Sequence, residues 1–341
     1  MTVWDRIESL GLRVVMGLPA AAQRRLGGRP VVRDGLTLDP DVQLLLRLQR
    51  LTREPGAETL PMADGRRAIR RITRLNGGRQ PVGSVRHLKV AGLPARLYVP
   101  TGAAPTGPLL LFFHGGGFMH GDLDSHDAPC RFLAERAGVR VLAVDYRLGP
   151  EEPFPAAYDD ALAALRWLRE HATEVGADPG RIGVGGDSAG GNLAAGVALD
   201  AARSGVPLAF QLLVYPATDA ARTTASADLF AEGFYLTKAY LELANESYAV
   251  DADLRDPRLS PAYADLPTGV APAYVATAGF DPLRDEGEAY ARRLVETGVA
   301  VELRRFEGQV HGFFNITGVG RSSRAANVEI SEALRAGLAA R

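Results

Sequence analysis

The sequence predicts an α/β fold: a mainly parallel sheet of eight strands with helices on both faces, carrying two helical additions. Three observations lead to it. From about residue 81 onward, short apolar or β-branched runs alternate with longer helix-like ones, as expected of strands buried on both faces. Of the 341 residues, 46% are hydrophobic, enough to fill one large core. Residues 1–80 and 217–265 break the alternation and read as mainly helical.

Along the chain, residues 3–18 and 41–52 read as amphipathic helices from their apolar spacing. A cleaved leader is not expected over residues 14–22. Asp5 and Glu8 offset Arg6 and Arg13, and the run continues the helical spacing of Trp4, Ile7 and Leu10. Residues 85–90 and 95–99 read as two early strands with a turn at Ala91-Gly92. Further strands are expected at 109–113, 139–144, 181–184, 210–215, 273–277 and 299–304. Helix-like stretches such as 159–168 separate most of them. No apolar run approaches the roughly 20 residues of a membrane span.

Charge excludes one class of partner. With 39 Lys+Arg against 40 Asp+Glu, the formal net charge is −1, which argues against nucleic acid. The first 80 residues differ, with 15 arginines, no lysine and 8 acids. The plain reading is a solvated helical surface, and the sharper one is weak association with anionic membrane surfaces. A single cysteine, Cys130, rules out an intramolecular disulfide. It fits a reducing, cytoplasmic setting and reads as a small buried apolar residue.

The chemistry is carried by Gly186-Asp187-Ser188-Ala189-Gly190, a G-x-S-x-G run between a strand-like and a helix-like segment. A sharp strand-to-helix turn holds a serine oxygen clear of the backbone, and flanking glycines let neighbouring segments approach. A dinucleotide loop competes, since Gly183-Val184-Gly185-Gly186-Asp187-Ser188 nearly reads G-x-G-x-x-G. Its third glycine would have to be Ser188, and the acid expected at the end of the next strand is missing.

A serine nucleophile on such a turn expects its acid and then its histidine later in the chain. Of six histidines only His311 follows Ser188, so the order selects it as the base. Asp281, directly after the expected strand 273–277, is the first choice for the orienting acid; Asp285 and Asp219 are alternatives. Residues 109–113 end in His114-Gly115-Gly116-Gly117-Phe118. Consecutive glycines let backbone amides converge on one point, as an oxyanion hole requires. His114, His120 and His126 lie among Asp122, Asp124 and Asp127, but their six-residue spacing is not one that metal ligands use, and no metal is expected. Exposed-loop or supporting roles are expected for them.

Together these motifs resemble the hormone-sensitive-lipase-like branch of the α/β-hydrolases, which includes many bacterial carboxylesterases. The resemblance rests on the glycine run, Asp145-Tyr146-Arg147-Leu148-Gly149-Pro150-Glu151, Pro153-Phe154-Pro155-Ala156-Ala157-Tyr158-Asp159, the serine pentapeptide, Asp281-Pro282-Leu283-Arg284-Asp285 and His311-Gly312-Phe313. It covers about residues 80–335 well and the first 80 more loosely. Glu152 departs from it, where relatives often carry His or Tyr, and this bears on the rim at most.

By resemblance, Ser188, Asp281 and His311 match the catalytic triad. Gly116 and Gly117, with the amide of Ala189, match the oxyanion donors, and Gly115 is counted with them. The resemblance implies an α/β-hydrolase fold with an N-terminal cap segment at 1–80 and a catalytic domain at 81–341. A cap insertion is expected at about 217–265. Phe118, Phe230, Phe234 and Tyr235 are the expected substrate-pocket residues, since a hydrolase of apolar esters needs an apolar enclosure. The implied activity is cleavage of short-to-medium acyl esters through an acyl-enzyme, with no cofactor and with a homodimer as the assembly. An amidase or deacetylase on the same triad, or a non-catalytic small-molecule binder, stays open.

Overall fold

The computed structural model describes residues 3–339. Four helices open the chain: α1 (Val3–Met16), α2 (Ala20–Gly27), α3 (Pro40–Thr52) and α4 (Met62–Gly77). A small antiparallel hairpin, β1 (Val32–Arg33) and β2 (Leu36–Thr37), sits between α2 and α3. Helix α1 stops two residues earlier than its spacing suggested, at Gly17. Pro19 disfavours helical backbone in the residue before it. Leu12, Val15 and Met16 pack with Leu44, Leu45, Ile316 and Val319. Leu10 and Val14, by contrast, are 65% and 63% exposed, so α1 carries a second apolar stripe that faces outward. The side chains of Trp4 and Ile7 lie outside the described residues.

The main sheet has the eight expected strands: β3 (Ser84–Val90), β4 (Leu93–Val99), β5 (Gly107–Phe113), β6 (Arg140–Val144), β7 (Ala177–Asp187), β8 (Phe210–Val214), β9 (Ala273–Phe280) and β10 (Val301–Val310). Their spatial order is β10-β9-β8-β7-β5-β6-β4-β3. The pairs β3–β4 and β4–β6 are antiparallel and the rest parallel. Strand β10 runs six residues beyond the expected end. It lies at the sheet edge, so polar Arg304, Arg305 and Glu307 are tolerated there, and the strand does not read as an apolar run. Strand β7 begins earlier than expected, through Asp178-Pro179-Gly180, which reads as a turn in sequence.

Helices α5 (Asp127–Ala137), α6 (Ala156–Glu170), α7 (Ala189–Arg203), α8 (Ala225–Leu229), α9 (Lys238–Tyr248), α10 (Arg284–Glu296) and α11 (Arg321–Gly337) complete the chain. Strand β5 shows why two layers are needed. Leu109, Leu111 and Phe113 pack in one core with Leu193 and Leu168, while Leu110 and Phe112 pack in another with Leu133 and Ile330. The period-two alternation of a strand thus feeds both faces. Segment 217–265 is less helical than expected: it holds only the short α8, α9 and a three-residue turn of 3₁₀ helix, joined by loops.

A third cluster joins Leu38, Val42 and Leu46 of the N-terminal region to Phe230, Phe234, Phe280 and Val310. It corrects the expectation for Phe230 and Phe234. Both are buried there, as packing between the first helices and the strand ends, and neither lines the cavity described below. Among the described residues no helix is long and apolar enough to cross a membrane.

Candidate active site

The site residues lie at the carboxyl ends of β5, β7, β9 and β10, where an open α/β sheet presents its crevice. Ser188 follows β7 with φ 56° and ψ −118°, a strained geometry for a residue with a side chain. The turn closes only because its neighbours are glycines. A Cβ on Gly190 would overlap the Phe113 carbonyl oxygen and come within 2.7 Å of that of His114. One on Gly186 would overlap the Phe113 carbonyl and the Gly190 backbone. The Ser188 amide donates to Val214 at 2.9 Å, and its carbonyl accepts from Asn192 at 3.0 Å. Backbone is thereby fixed on both sides of the side chain.

His311 follows β10 directly and brings Nε2 to 3.0 Å from Ser188 Oγ. Its Nδ1 lies 2.8 Å from Asp281 Oδ2. A carboxylate only accepts, so Nδ1 carries the proton and Nε2 presents a lone pair to the serine. Asp281 is fully buried, and its Oδ1 accepts from the Leu283 amide at 2.8 Å. The two alternative acids are engaged elsewhere. Asp285 accepts from the Ser226 amide at 2.9 Å, and Asp219 from the Thr223 hydroxyl at 2.7 Å.

The glycine run turns beside the serine. Gly116 has φ 127°, Gly117 φ 62° and Phe118 φ 59°. A Cβ on Gly116 would overlap the His120 carbonyl, so only glycine fits. Among the described residues, the amides of Gly116, Gly117 and Ala189 have no acceptor in the protein. Gly115 differs from the expectation: its amide donates to Asp187 Oδ1 at 2.9 Å and is not free for a substrate.

Comparison with known proteins places the whole chain in a family. A family model described as the alpha/beta hydrolase fold matches residues 110–315. The carboxylic ester hydrolase LipN of Mycobacterium tuberculosis is 46% identical, over 98% of this chain and 94% of that protein. The chain belongs to the α/β-hydrolase family. Within it the chain falls in the hormone-sensitive-lipase-like branch. An ethyl acetate hydrolase of Pseudomonas putida is 39% identical over 88% of this chain and 99% of its own length. A solved ester-hydrolase from the metagenome of Lake Arreo, complexed with a bipyridine phosphonate derivative, superposes with a TM-score of 0.83. It is 43% identical and covers 88% of this chain and 98% of its own.

The α/β-hydrolase frame explains several residues that the sequence did not single out. Asp187, inside the pentapeptide, is buried among Gly115, His126 (Nε2 at 3.2 Å) and Tyr215 (hydroxyl at 3.4 Å). Burial alone would raise its carboxyl; His126 and the Gly115 amide outweigh that and hold it below the usual range. Tyr215 also packs its ring against His311, with centroids 4.4 Å apart. These partners are scattered along the chain, and only the position of Asp187 between the glycines could have flagged it. Tyr146 donates to the His114 carbonyl at 2.6 Å and stacks on its ring, while Arg147 pairs with Asp160 at 2.7 Å. The motif around 145–151 therefore braces the glycine run from behind, and Asp160, just past the 153–159 motif, anchors it in turn.

The three clustered histidines are buried, which fits the supporting role expected of them and not the exposed-loop one. Burial first, with His126 nearby, pushes the His114 imidazole down to about 4. Burial and the Arg66 charge do the same for His120, whose Nδ1 meets the Tyr240 hydroxyl at 2.9 Å. Both rings are neutral at pH 7.

Above Ser188 opens a cavity of about 660 Å³. Its wall includes Phe118 and Tyr235, two of the four expected pocket residues. Tyr240, Tyr248, Leu236 and Leu241 add apolar surface from the 217–265 segment, and Leu46, Ile69 and Ile72 from the N-terminal helices.

Proposed function

We infer that this carboxylic ester hydrolase works by two-step acyl transfer through Ser188, His311 and Asp281. Ser188 Oγ attacks the ester carbonyl while His311 Nε2 takes its proton. Asp281 holds the imidazole and stabilises its cation. The amides of Gly116, Gly117 and Ala189 receive the developing oxyanion. His311 then protonates the leaving alcohol, and water repeats the sequence on the acyl-enzyme. The single observation that carries this reading is the unbroken chain from Ser188 Oγ to His311 to Asp281, at 3.0 and 2.8 Å.

Residues 1–80 and about 217–265 act as the cap of a catalytic domain spanning 81–341. Their mutual ties support this: Arg50 donates to the Gly233 carbonyl at 2.9 Å, Arg33 to that of Leu229 at 2.9 Å, and Thr237 to Glu58 at 3.0 Å. The largely apolar wall suits short-to-medium acyl chains. Hydrolysis of p-nitrophenyl esters from acetate to palmitate, by wild type and Ser188→Ala, tests the reading. Matched anilides separate esterase from amidase action. Undiminished turnover by Ser188→Ala defeats the mechanism.

The outward Leu10 and Val14, with Arg13 between them, support weak association of the N-terminal segment with anionic membranes. Failure to co-sediment with anionic vesicles at low salt ends that part. The buried, free Cys130 supports a cytoplasmic location. Sedimentation velocity checks the homodimer that the resemblance implies.

A further inference from the structure

Arg66, on α4, reaches out of the N-terminal segment to the loop that carries the Gly116 and Gly117 amides. Its Nε donates to the Met119 carbonyl at 2.9 Å and its Nη2 to the Gly149 carbonyl at 2.8 Å. Glu151 orients the guanidinium by a two-point pair, 2.9 Å to Nη1 and 2.6 Å to Nη2. Met119 belongs to the glycine turn itself. The Met119 and His120 amides both donate to the Gly116 carbonyl, at 3.3 and 2.9 Å. Gly149 is bonded to the same turn, its amide donating to the Phe118 carbonyl at 2.8 Å. One guanidinium thus fixes two carbonyls on either side of that bond.

The turn needs an outside hold. Three consecutive residues have positive φ, one of them Phe118, for which that region costs about 1–3 kcal/mol. Among the described residues, the amides of Gly116 and Gly117 make no bond within the protein that would fix their direction. A planar, permanently charged fork is suited to gripping two carbonyls at once, which an ammonium does less well.

We propose that Arg66 is a positioning residue for ester hydrolysis: its grip on Met119 and Gly149 aims the Gly116 and Gly117 amides at the oxyanion. Arg66 is not part of the cavity wall, so it acts on the reaction only through the loop it holds. The proposal rests on the acyl-transfer reading above. It gives the N-terminal segment a part in the chemical step as well as in enclosing the substrate.

The test compares wild type, Arg66→Ala, Arg66→Lys and Glu151→Gln on p-nitrophenyl butyrate and on the acyl series. A second readout is binding of an aryl trifluoromethyl ketone. Ser188 Oγ adds to its carbonyl carbon, the carbonyl π pair moves to oxygen, and the serine proton passes to His311. The adduct presents the oxyanion without turnover. Removing an oxyanion donor costs about 10²–10³ in kcat, so misaiming donors in Arg66→Ala should cost about ten- to hundredfold. KM should stay within about threefold, and ketone affinity should fall by a factor similar to that in kcat. Lys should restore only part of the loss, and the acyl-length profile should not change.

A kcat for Arg66→Ala within about threefold of wild type overturns the proposal. So does a change confined to KM and the acyl profile, which would assign Arg66 to enclosure alone. If Arg66→Ala does not fold, Glu151→Gln decides, because it leaves the guanidinium in place but loosens its aim. It should lower kcat and ketone affinity together, and unchanged values of both overturn the proposal. Undiminished turnover by Ser188→Ala, or a wild type that does not bind the ketone, is failure of the acyl-transfer reading instead.

Discussion

The Gly115 amide donates to the Asp187 carboxylate at 2.9 Å, joining residues 72 positions apart. It ties the loop after β5 to the turn after β7, so the proposed oxyanion donors and the nucleophile share one rigid support. A Cβ on Gly115 would stand 2.5 Å from Asp187 Oδ2, so the approach requires a glycine.

Asp187→Asn tests that support. Asparagine can still accept from Gly115, but it turns an amide N–H₂ toward His126 or Tyr215 and removes the charge. A stability loss of about 1–3 kcal/mol is expected from the unmatched buried group. Turnover should fall about tenfold, since the amides and the serine are no longer held in one frame. Urea midpoints and kcat measured on the same preparations check both, and an unchanged midpoint removes Asp187 from the supporting role.

Two glycines should respond in opposite directions to alanine. At Gly190 the added methyl meets the backbone carbonyls of Phe113 and His114, which cannot yield. Gly190→Ala should cost about 4 kcal/mol or more, or prevent folding. Gly11 sits inside α1 with nothing within 4 Å of the added carbon. There alanine should stabilise by about 0.5–1 kcal/mol through helix propensity. Thermal melts of both variants decide, and a tolerated Gly190→Ala contradicts the turn geometry.

Phe234 and Tyr235 are neighbours in sequence with different work. Phe234 is buried between Phe230 and Phe280, whereas Tyr235 faces the cavity. Phe234→Ala should cost about 3–5 kcal/mol. Tyr235→Ala should cost under about 1 kcal/mol and instead shift KM and the preferred acyl length. Denaturation curves and the acyl series separate the two, and equal effects on stability would defeat the distinction.

These two residues also show where sequence reading runs out. Ser188 and His311 were legible because chain order left one histidine, and the glycines around the serine are demanded by local backbone. Phe230 and Phe234 were not, because what they pack against, Leu38, Val42 and Leu46, lies far earlier in the chain. Gly115 looked equivalent to Gly116 and Gly117 for the same reason: its acceptor is supplied by another strand. Local rules identify the chemistry, and long-range packing decides which neighbours are left free to take part in it. Arg66 is a further case, since nothing in its own surroundings in sequence points to Met119.

Glu286 should make stability depend on pH. It is almost wholly buried and accepts from the Thr218 amide at 2.7 Å, the Asp219 amide at 3.1 Å and Arg222 Nη1 at 3.0 Å. Burial pushes its carboxyl up to about 7 from 4.5, although Arg222 and the two amides oppose the rise. The folded state therefore holds the proton more tightly than the unfolded chain does. That stabilisation is complete below about pH 4.5 and is lost as pH rises through about 7. At about 1.4 kcal/mol per pH unit, the whole window corresponds to a change on the order of 3 kcal/mol. Glutamine cannot titrate, so Glu286→Gln should flatten this part of the profile. Urea denaturation of both proteins at several pH values across that window should show wild type losing stability relative to the variant as pH rises. A constant difference would mean that Glu286 is ionised throughout, with Arg222 and the two amides outweighing burial.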